Sequence, residues 1–321
     1  MFRKALLLAA AIAAATIPAH AQEDKFPSKT VRIIVPFSAG ALTDTLARMY
    51  AEELTKRFNQ PVVVENKPGS GGIPATQAML SQADGYTYQM VSSGHAVNPT
   101  LFSKLPYDTL RDTAGVALVA SSPTVVVVNP ASGIRTLSEL IAAAKAKQGG
   151  LNYGSAGIGS STHLVAEYLR HEAKIAMVHV PYKGVQEAVT EVLAGRIDVA
   201  FPPIALALPQ MKAGRVVGIA QTGPQRSALI PDIPTVQEQG LKGFDYSIWY
   251  ALIAPSKAPR AALERMAREI REISALPAVR EKMQQQGLVQ NLLTLDEFDR
   301  YIRSEVDKQG RLVKASGAKA D

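Results

Sequence analysis

The feature that most constrains the fold of this chain is the alternation of short β-forming runs with amphipathic helical stretches. Residues 31–37 are rich in β-branched side chains and predict a buried strand. In residues 43–58 the apolar side chains recur every four positions, which predicts an amphipathic helix. Strands at residues 61–65 and 86–91 follow, with a helix near residues 75–82 between them. Strands separated by helices form parallel βαβ units, so the sequence predicts an α/β fold.

Two longer apolar runs indicate that the chain passes twice between two α/β lobes. Residues 116–129 are strongly β-forming and are broken near Pro123, and residues 246–254 form a second long strand candidate. Strands and helices alternate again between these runs. Two crossing strands would make a hinge and leave a cleft. The predicted limits are 1–21 for a leader, 22–122 and 252–321 for the first lobe, and 123–251 for the second lobe.

The first residues have the pattern of an export signal. A basic pair, Arg3 and Lys4, precedes an apolar run over residues 5–17 that is too short to span a bilayer. An Ala-His-Ala cleavage pattern ends at Ala21. We expect cleavage after Ala21 and a mature chain in the periplasm. No later stretch of the sequence approaches the roughly 20 consecutive apolar residues of a membrane helix.

Composition excludes several kinds of site before any motif is considered. The chain has no cysteine, which rules out disulfides, thiolate metal centres and the lipidated cysteine of a lipoprotein anchor. The formal net charge is +7, but lysine and arginine are scattered, so small anions are expected as partners rather than nucleic acid. The histidines lack the spacing of a metal motif, and we expect neither a metal nor a cofactor.

The loop after the first strand is a candidate anion site. It combines small residues with a glycine directly before the predicted helix, where free backbone N–H groups and the positive end of the helix dipole would meet an anion. A simple strand-to-helix turn is the alternative interpretation. The candidate binding residues here are Phe37, Ser38, Gly40, Thr43 and Asp44.

The strongest candidate is the loop over residues 154–163, which follows the first strand of the second lobe. Its glycines let backbone approach a ligand closely, and its hydroxyls stand at the start of the next helix. Two such loops facing across a cleft would hold both ends of a dicarboxylate; a helix-capping cluster is the alternative. The candidates are Ser155, Gly157, Gly159, Ser160, Ser161, Thr162 and His163.

Further candidates stand at the carboxyl ends of other predicted strands. Lys183 could pair with an anion, although a lone lysine is more often solvated, and Tyr182 could wall the cleft or cap the core. The remaining candidates are Ser93, Gly94 and His95 after the third strand, and Phe201 in the second lobe.

Catalysis is not expected from these patterns. The GxSxG nucleophile elbow is absent, and no nucleophile–base pair can be recognised in the sequence. No pair of carboxylates falls in a candidate loop, so general acid–base chemistry lacks its groups. An exported hydrolase is therefore the weakest of the functions considered.

Together these segments resemble the Bug family, the solute receptors of tripartite tricarboxylate transporters. The resemblance follows the mature chain in order. In the first lobe it rests on IVPF (34–37), PVVVEN (61–66) followed by Pro68-Gly69, DGYT (84–87), Asn98-Pro99 and LPYD (105–108). In the rest of the chain it rests on LNYGSAG (151–157), GSSTHL (159–164), HVPYKG (179–184), PDIPT (231–235) and Trp249.

This resemblance implies a two-lobed periplasmic binding protein of the type II-like class, without cofactor or catalysis. It implies a carboxylate ligand held by loop amides, hydroxyls and bridging waters, and a membrane permease of one large and one small integral subunit as the partner. We expect a monomer. A receptor that presents its ligand to a membrane sensor in signalling would have the same sequence pattern, so it stays open as the alternative.

Two departures from the family pattern bear on the ligand. Gly40-Ala41-Leu42 stands where the family usually has a glycine run, and Pro202-Pro203 stands where polar residues are common. Both changes make the predicted pocket more apolar and remove possible partners of an amino group. They favour a ligand other than an amino acid.

Overall fold

A six-stranded sheet lies at the centre of the first lobe of the computed structural model, which describes residues 26–316 and 319–320. The predicted leader and the cleavage site after Ala21 lie outside the described residues. The strands of this sheet are β1 (Val31–Val35), β2 (Val62–Asn66), β3 (Thr87–Ser92), β4 (Thr113–Pro123), β10 (Ser247–Pro255) and β11 (Leu293–Thr294). Their order is β11-β4-β10-β3-β1-β2, with β1 parallel to β2 and β3.

A five-stranded sheet forms the second lobe in the same way. Its strands are β5 (Val125–Val128), β6 (Leu151–Ser155), β7 (Met177–Pro181), β8 (Val199–Ala200) and β9 (Val217–Gln221), in the order β7-β6-β8-β5-β9. β6 is parallel to β7 and β8, whereas β5 is antiparallel to β8 and β9.

Amphipathic helices accompany the sheets, as the helical periodicity predicts. Those of the first lobe are α1 (Leu42–Phe58), α2 (Ile73–Leu80), α3 (Asn98–Leu101), α4 (Thr109–Asp112), α9 (Arg260–Ser274), α10 (Pro277–Gln285) and α11 (Asp296–Ser316). Those of the second lobe are α5 (Leu137–Ala146), α6 (Ser161–Glu172), α7 (Val185–Leu193) and α8 (Ile204–Lys212). No helix among the described residues is both long and apolar enough to cross a membrane.

The two lobes are joined by two neighbouring crossings. Thr124 separates β4, which is paired in the first sheet, from β5, which is paired in the second. The Thr124 amide donates to Thr222 Oγ1 at 2.9 Å, and that hydroxyl donates to Tyr246 O at 2.8 Å. The outgoing and returning segments are thus hydrogen-bonded side by side, which is the arrangement of a hinge. The predicted α/β fold of two lobes with two crossings is confirmed.

The returning strand lies differently from the predicted lobe limit. All of β10 pairs in the first sheet, beginning with Ser247 opposite Pro123, so the limit drawn between residues 251 and 252 falls inside this strand. An apolar run marks a buried strand but does not show which sheet it joins. We propose that the second lobe ends at Tyr246.

The last helix returns to the first lobe and packs on its sheet. The Trp249 ring is buried, its Nε1 donates to Glu305 Oε2 at 3.0 Å, and its edge meets the Phe298 ring. Helix α11 also contacts α6 of the second lobe. The lobes therefore also meet outside the hinge, through the last helix.

Candidate functional site

A cavity of about 750 Å³ lies between the lobes, where the parallel strands of both sheets end. Open α/β sheets place their ligands in this position. We call it the main cavity. Loops after β1, β2 and β3 form its wall on the first lobe, and loops after β6 and β7 form its wall on the second. Eight of the predicted site residues line it, namely Phe37, Gly94, His95, Gly157, Gly159, Ser160, Tyr182 and Lys183.

A smaller space of about 50 Å³ adjoins the main cavity and shares Phe37, Ser92, Ala156 and Ser160 with it. We call it the inner hollow. The N-terminus of α1 reaches it from the first lobe and the N-terminus of α6 from the second. Five predicted residues line this hollow, namely Phe37, Thr43, Ser160, Ser161 and Thr162, together with Ala41, Leu42, Ser92 and Pro203.

The N-terminus of α1 presents bare backbone to the hollow. Ala41 occupies the N-cap position in an extended conformation, and no side chain of the described residues caps this helix end. The first N–H groups of a helix have no intrahelical partner, so here they remain available to a ligand. The buried Thr43 side chain adds one hydroxyl at the same place.

Asp44 stabilises the loop between β1 and α1 through hydrogen bonds. It lines neither the main cavity nor the inner hollow. Its Oδ2 accepts hydrogen bonds from the Gly40 amide and Arg48 Nε, both at 3.0 Å, and its Oδ1 accepts from Asn66 Nδ2 at 2.9 Å. Burial alone would raise the pKa of Asp44, but these hydrogen bonds outweigh burial and the pKa lies below its ordinary value. The carboxylate is therefore fully engaged inside the first lobe.

Ser38 and Gly40 lie at the rim of the site. Neither lines the main cavity or the inner hollow within the described residues. The Gly40 carbonyl accepts a hydrogen bond of 3.0 Å from Gln186 Nε2 of the second lobe, so this glycine contributes to the contact between lobes.

The N-terminus of α6 presents hydroxyls instead of bare backbone. Ser160 Oγ caps the helix by accepting from the His163 amide at 3.2 Å, and Thr162 Oγ1 accepts from the Ala156 amide at 2.9 Å. The two hydroxyl oxygens are 3.0 Å apart. One hydroxyl proton suffices for the bond between them, so the second proton is free to donate to a ligand.

Ser161 is engaged in a contact between the lobes. Its hydroxyl accepts from Ser93 Oγ at 2.8 Å and from the Gly94 amide at 3.1 Å, and it donates to Ser92 Oγ at 3.3 Å. These bonds use the donor and both acceptor positions of the hydroxyl. We call Ser92, Ser93 and Ser161 the serine cluster. It joins the end of β3 to the start of α6, and Ser93 itself is fully buried.

Gly94 of the first lobe packs directly against backbone of the second lobe. A Cβ atom added to it would lie 2.6 Å from Gly159 O of the second lobe, closer than real side-chain contacts. This position therefore requires a glycine when the lobes are together.

Three stacked aromatic rings stabilise the loop over residues 154–163. The His163 and His179 rings are 4.1 Å apart, and the Tyr153 ring lies 4.9 Å from that of His179. His163 Nδ1 accepts from the Gly159 amide at 3.3 Å. Burial lowers the pKa of His163 to about 4 and that of His179 to about 3, so both rings are neutral at pH 7.

The structure also holds a serine–histidine pair that sequence reasoning missed, because its partners are far apart in the chain. Ser155 Oγ and His179 Nε2 are 2.6 Å apart. Ser155 is fully buried, also exchanges hydrogen bonds with Gly157, and does not line the main cavity or the inner hollow. The pair therefore fixes the loop. Phe201 is likewise buried, edge-on against Tyr153, and lies outside the lining.

The first lobe contributes lining residues that the sequence analysis did not single out. The loop of residues 68–72 follows β2 with the sequence Pro-Gly-Ser-Gly-Gly, and all five of its residues line the main cavity. Thr76 and Gln89 also line the main cavity. Gln89 could have been noticed as a polar residue between Tyr88 and Met90 in a buried strand. The described residues contain no cluster of histidine and acidic side chains able to hold a metal ion.

Two α/β lobes that are joined by a double crossing, with a cavity between them, are the architecture of the periplasmic solute-binding proteins that this chain resembles in structure. Within that class the chain belongs to the tripartite tricarboxylate transporter family of receptors, because the model of this family matches residues 46–318. The predicted resemblance to the Bug receptors is confirmed. BugT of Bordetella pertussis is 33% identical over 311 residues, which cover 96% of this chain and 95% of BugT.

Solved structures of the same class superimpose closely on this chain. R. palustris Rpa4515 with adipate has a TM-score of 0.87 and 25% identity, and the match covers 92% of this chain and 99% of that chain. MatC from Rhodopseudomonas palustris with bound malate has a TM-score of 0.81 and 27% identity, over 90% of this chain and all (100%) of MatC. The family and these neighbours are solute-binding receptors and not enzymes.

Proposed function

We propose that this chain is a periplasmic receptor that captures a small organic carboxylate between its lobes and delivers it to a membrane permease. The observation that carries the proposal is the inner hollow, on which the N-termini of α1 and α6 converge from opposite lobes. A helix N-terminus carries partial positive charge and unpaired N–H groups. Two such ends that face one small space favour a bound anion.

A carboxylate in the inner hollow would contact both lobes at once. The first lobe offers the amides of the first turn of α1 and the Thr43 hydroxyl, and the second offers the spare hydroxyl proton of Ser160 and Thr162. A ligand that touches both lobes binds the closed arrangement better than the open one. Its binding free energy therefore drives closure about the hinge at Thr124 and Tyr246.

The surroundings of the hollow argue against an amino group on the ligand. Leu42, Pro203 and Ile248 give it apolar walls, and the nearby carboxylate of Asp44 is engaged by its own loop. Among the described residues that line the two spaces, the one acid is Glu187, which is exposed. An ammonium group would lose its hydration in the hollow without gaining a counter-charge.

The structural relatives support a carboxylate as the ligand class. Rpa4515 is solved with adipate and MatC with malate, and both share this architecture over at least nine-tenths of the chain. The family model carries the description of a transporter receptor, which supports a permease as the partner.

The proposal is tested by thermal shift of the purified mature protein with mono-, di- and tricarboxylates. A carboxylate at about 100 times its dissociation constant should add about 2.7 kcal/mol to the free energy of unfolding. Malate should raise the melting temperature more than aspartate, which differs from it by an amino group. Chelator treatment should leave the shift unchanged. A panel in which no carboxylate raises the melting temperature would contradict the proposal.

Delivery to a permease needs a separate measurement. Cells that carry the membrane subunits and this chain should take up the bound carboxylate, and cells that lack only this chain should not. Equal uptake in both strains would show that the receptor serves something other than transport.

A further inference from the structure

Buried polar side chains line the main cavity at a distance from the inner hollow. Thr76 on α2, Gln89 on β3 and His95 in the turn after β3 all line the cavity, and none is more than 4% exposed. We call these three residues the floor. All of them belong to the first lobe.

The side-chain amide of Gln89 lacks a hydrogen-bond partner for its oxygen atom in the part of the chain that the structure describes. Its Oε1 atom is buried and has no hydrogen-bond partner within the described residues. Its Nε2 atom lies beside Gly72, which also lines the cavity. Buried polar atoms in native proteins nearly always have a partner, and one without a partner lowers stability. A bound molecule that pairs with the amide explains why a glutamine stands at this buried position.

Thr76 and His95 also offer acceptors. The Thr76 hydroxyl donates to Gly72 O at 3.2 Å and is also hydrogen-bonded with the Tyr107 side chain, which leaves one lone pair of its oxygen to accept from a ligand. Thr113 donates its own proton to Thr109 O at 2.6 Å, so His95 Nε2 is the donor in its 3.5 Å contact with Thr113 Oγ1. His95 Nδ1 is then an acceptor. Burial lowers the pKa of His95 to about 4, so the ring carries no charge at pH 7.

Charged side chains are remote from the floor. Among the described residues that line the main cavity, the charged ones are Lys183 and Glu187, and both are exposed on the second lobe. A carboxylate at the floor would meet one donor, Gln89 Nε2, against three acceptors, namely Gln89 Oε1, the Thr76 oxygen and His95 Nδ1, and an ammonium group would be buried without a counter-ion. The floor thus matches an uncharged group that donates hydrogen bonds.

We infer that the ligand carries a hydroxyl or a primary amide at the end that faces the floor, and that Gln89 selects for this group. The inference rests on the proposed function, since the other end of the ligand is the carboxylate in the inner hollow. Gln89 lies three residues before Ser92, which lines that hollow, and a strand rises about 3.3 Å per residue. The two ends are therefore roughly 10 Å apart. An extended chain such as the adipate skeleton is of this order of length.

The test compares the affinities of four probes of equal chain length by calorimetric titration. They are ω-hydroxyhexanoate, hexanoate, adipate and ε-aminohexanoate. The parent protein should bind ω-hydroxyhexanoate about 10-fold more tightly than hexanoate, because hexanoate leaves the floor without a donor. In Gln89→Met this ratio should fall below about 3-fold. The melting temperature of ligand-free Gln89→Met should rise, since the unpaired amide is gone.

Gln210→Met is the matched control. Gln210 on α8 also has a buried Oε1 without a partner among the described residues, but it lines neither space. This variant should keep the parent's ratio. Thr76→Val removes a second floor acceptor and should lower the ratio in the same direction as Gln89→Met.

Each other outcome has a definite meaning. If Gln89→Met keeps the parent's ratio, or melts lower than the parent without ligand, the selection by Gln89 is wrong while the receptor function stands. If adipate or ε-aminohexanoate binds the parent most tightly, the uncharged class is wrong. If no carboxylate, within this set or the wider panel, binds the parent, the proposed function fails and the inference fails with it.

Discussion

The loop before α1 and the loop before α6 occupy matching places in the two lobes, yet they prepare a helix N-terminus differently. Ala41 gives α1 no side-chain cap, and the acid in the first turn of α1, Asp44, accepts a hydrogen bond from the Gly40 amide. Ser160 caps α6, and Thr162 is held against it. The first loop presents bare backbone to the inner hollow, whereas the second presents hydroxyls.

Under the proposed function, the two loops would bind an anion at a helix N-terminus in two different ways. Binding by backbone N–H groups should survive side-chain substitution, because every residue except proline carries the same N–H group. A hydroxyl site can be removed one atom at a time. Side-chain truncation should therefore weaken binding more in the second lobe than in the first.

The largest effect is expected where the two lobes meet. Gly94→Ala would place a methyl group 2.6 Å from Gly159 O and keep the lobes apart. The ligand would then contact one loop instead of both, and affinity should fall by more than about 100-fold. Titration with adipate or malate, whichever binds the parent more tightly, measures the loss. Scattering should show that the variant with ligand keeps the radius of gyration of the ligand-free form. Parent-like affinity would mean that the lobes do not close by this contact.

The second effect tests the hydroxyls. Ser160→Ala should weaken carboxylate binding by roughly 10- to 100-fold, the value of a charge-assisted hydrogen bond. It should also cost about 1 kcal/mol of stability, because Ser160 caps α6. Thr136→Ala is the control: Thr136 caps α5 away from the cavity, so it should cost similar stability and leave affinity unchanged. If Ser160→Ala also binds the carboxylate like the parent, the loop over residues 154–163 acts only as a helix start.

Much of this arrangement could be predicted from local patterns, and the rest depends on long-range contacts. β-branched runs and helical periodicity predicted the elements, and the break near Pro123 predicted the crossing. Sequence could not show that β10 joins the first sheet, since an apolar strand fits either one. It could not assign Ser161 to the contact between lobes, because its partners lie 67 to 69 residues away.

A third, smaller effect separates Ser161 from its neighbour Ser160. The Ser161 hydroxyl bonds Ser93 and Gly94 across the cleft, so Ser161→Ala should weaken binding through closure, by about 3- to 10-fold. Ser93→Ala should have a similar effect, and the double variant should lose less than the sum of both free energies. Additive losses, or a loss in Ser161→Ala as large as in Ser160→Ala, would indicate that Ser161 contacts the ligand directly.

The smallest effect is expected from pH, and it concerns both lobes. Burial lowers the pKa of His95 in the first lobe and of His163 in the second to about 4, and that of His179 to about 3. None of the three titrates between about pH 6 and pH 8, so carboxylate affinity should stay within about 2-fold across this window. Titrations at both ends of the window measure it. A loss of affinity with rising pH would mean that a protonated histidine binds the anion.

Stability should respond to the same histidines at lower pH. In the unfolded chain a histidine has its ordinary pKa near 6.5, so between about pH 6.5 and pH 4 the unfolded state binds protons that the folded state does not. Proton binding by these histidines therefore has no effect on the free energy of unfolding above about pH 6.5, and it lowers that free energy as pH falls toward 4, or toward 3 for His179. Denaturant titrations at several pH values should show this decline, and His179→Gln should flatten part of it. Two of these three histidines, His163 and His179, belong to the second lobe, and one, His95, belongs to the first. Most of the decline in stability should therefore originate in the second lobe. A decline that survives in His179→Gln and disappears in His95→Gln would reverse that assignment.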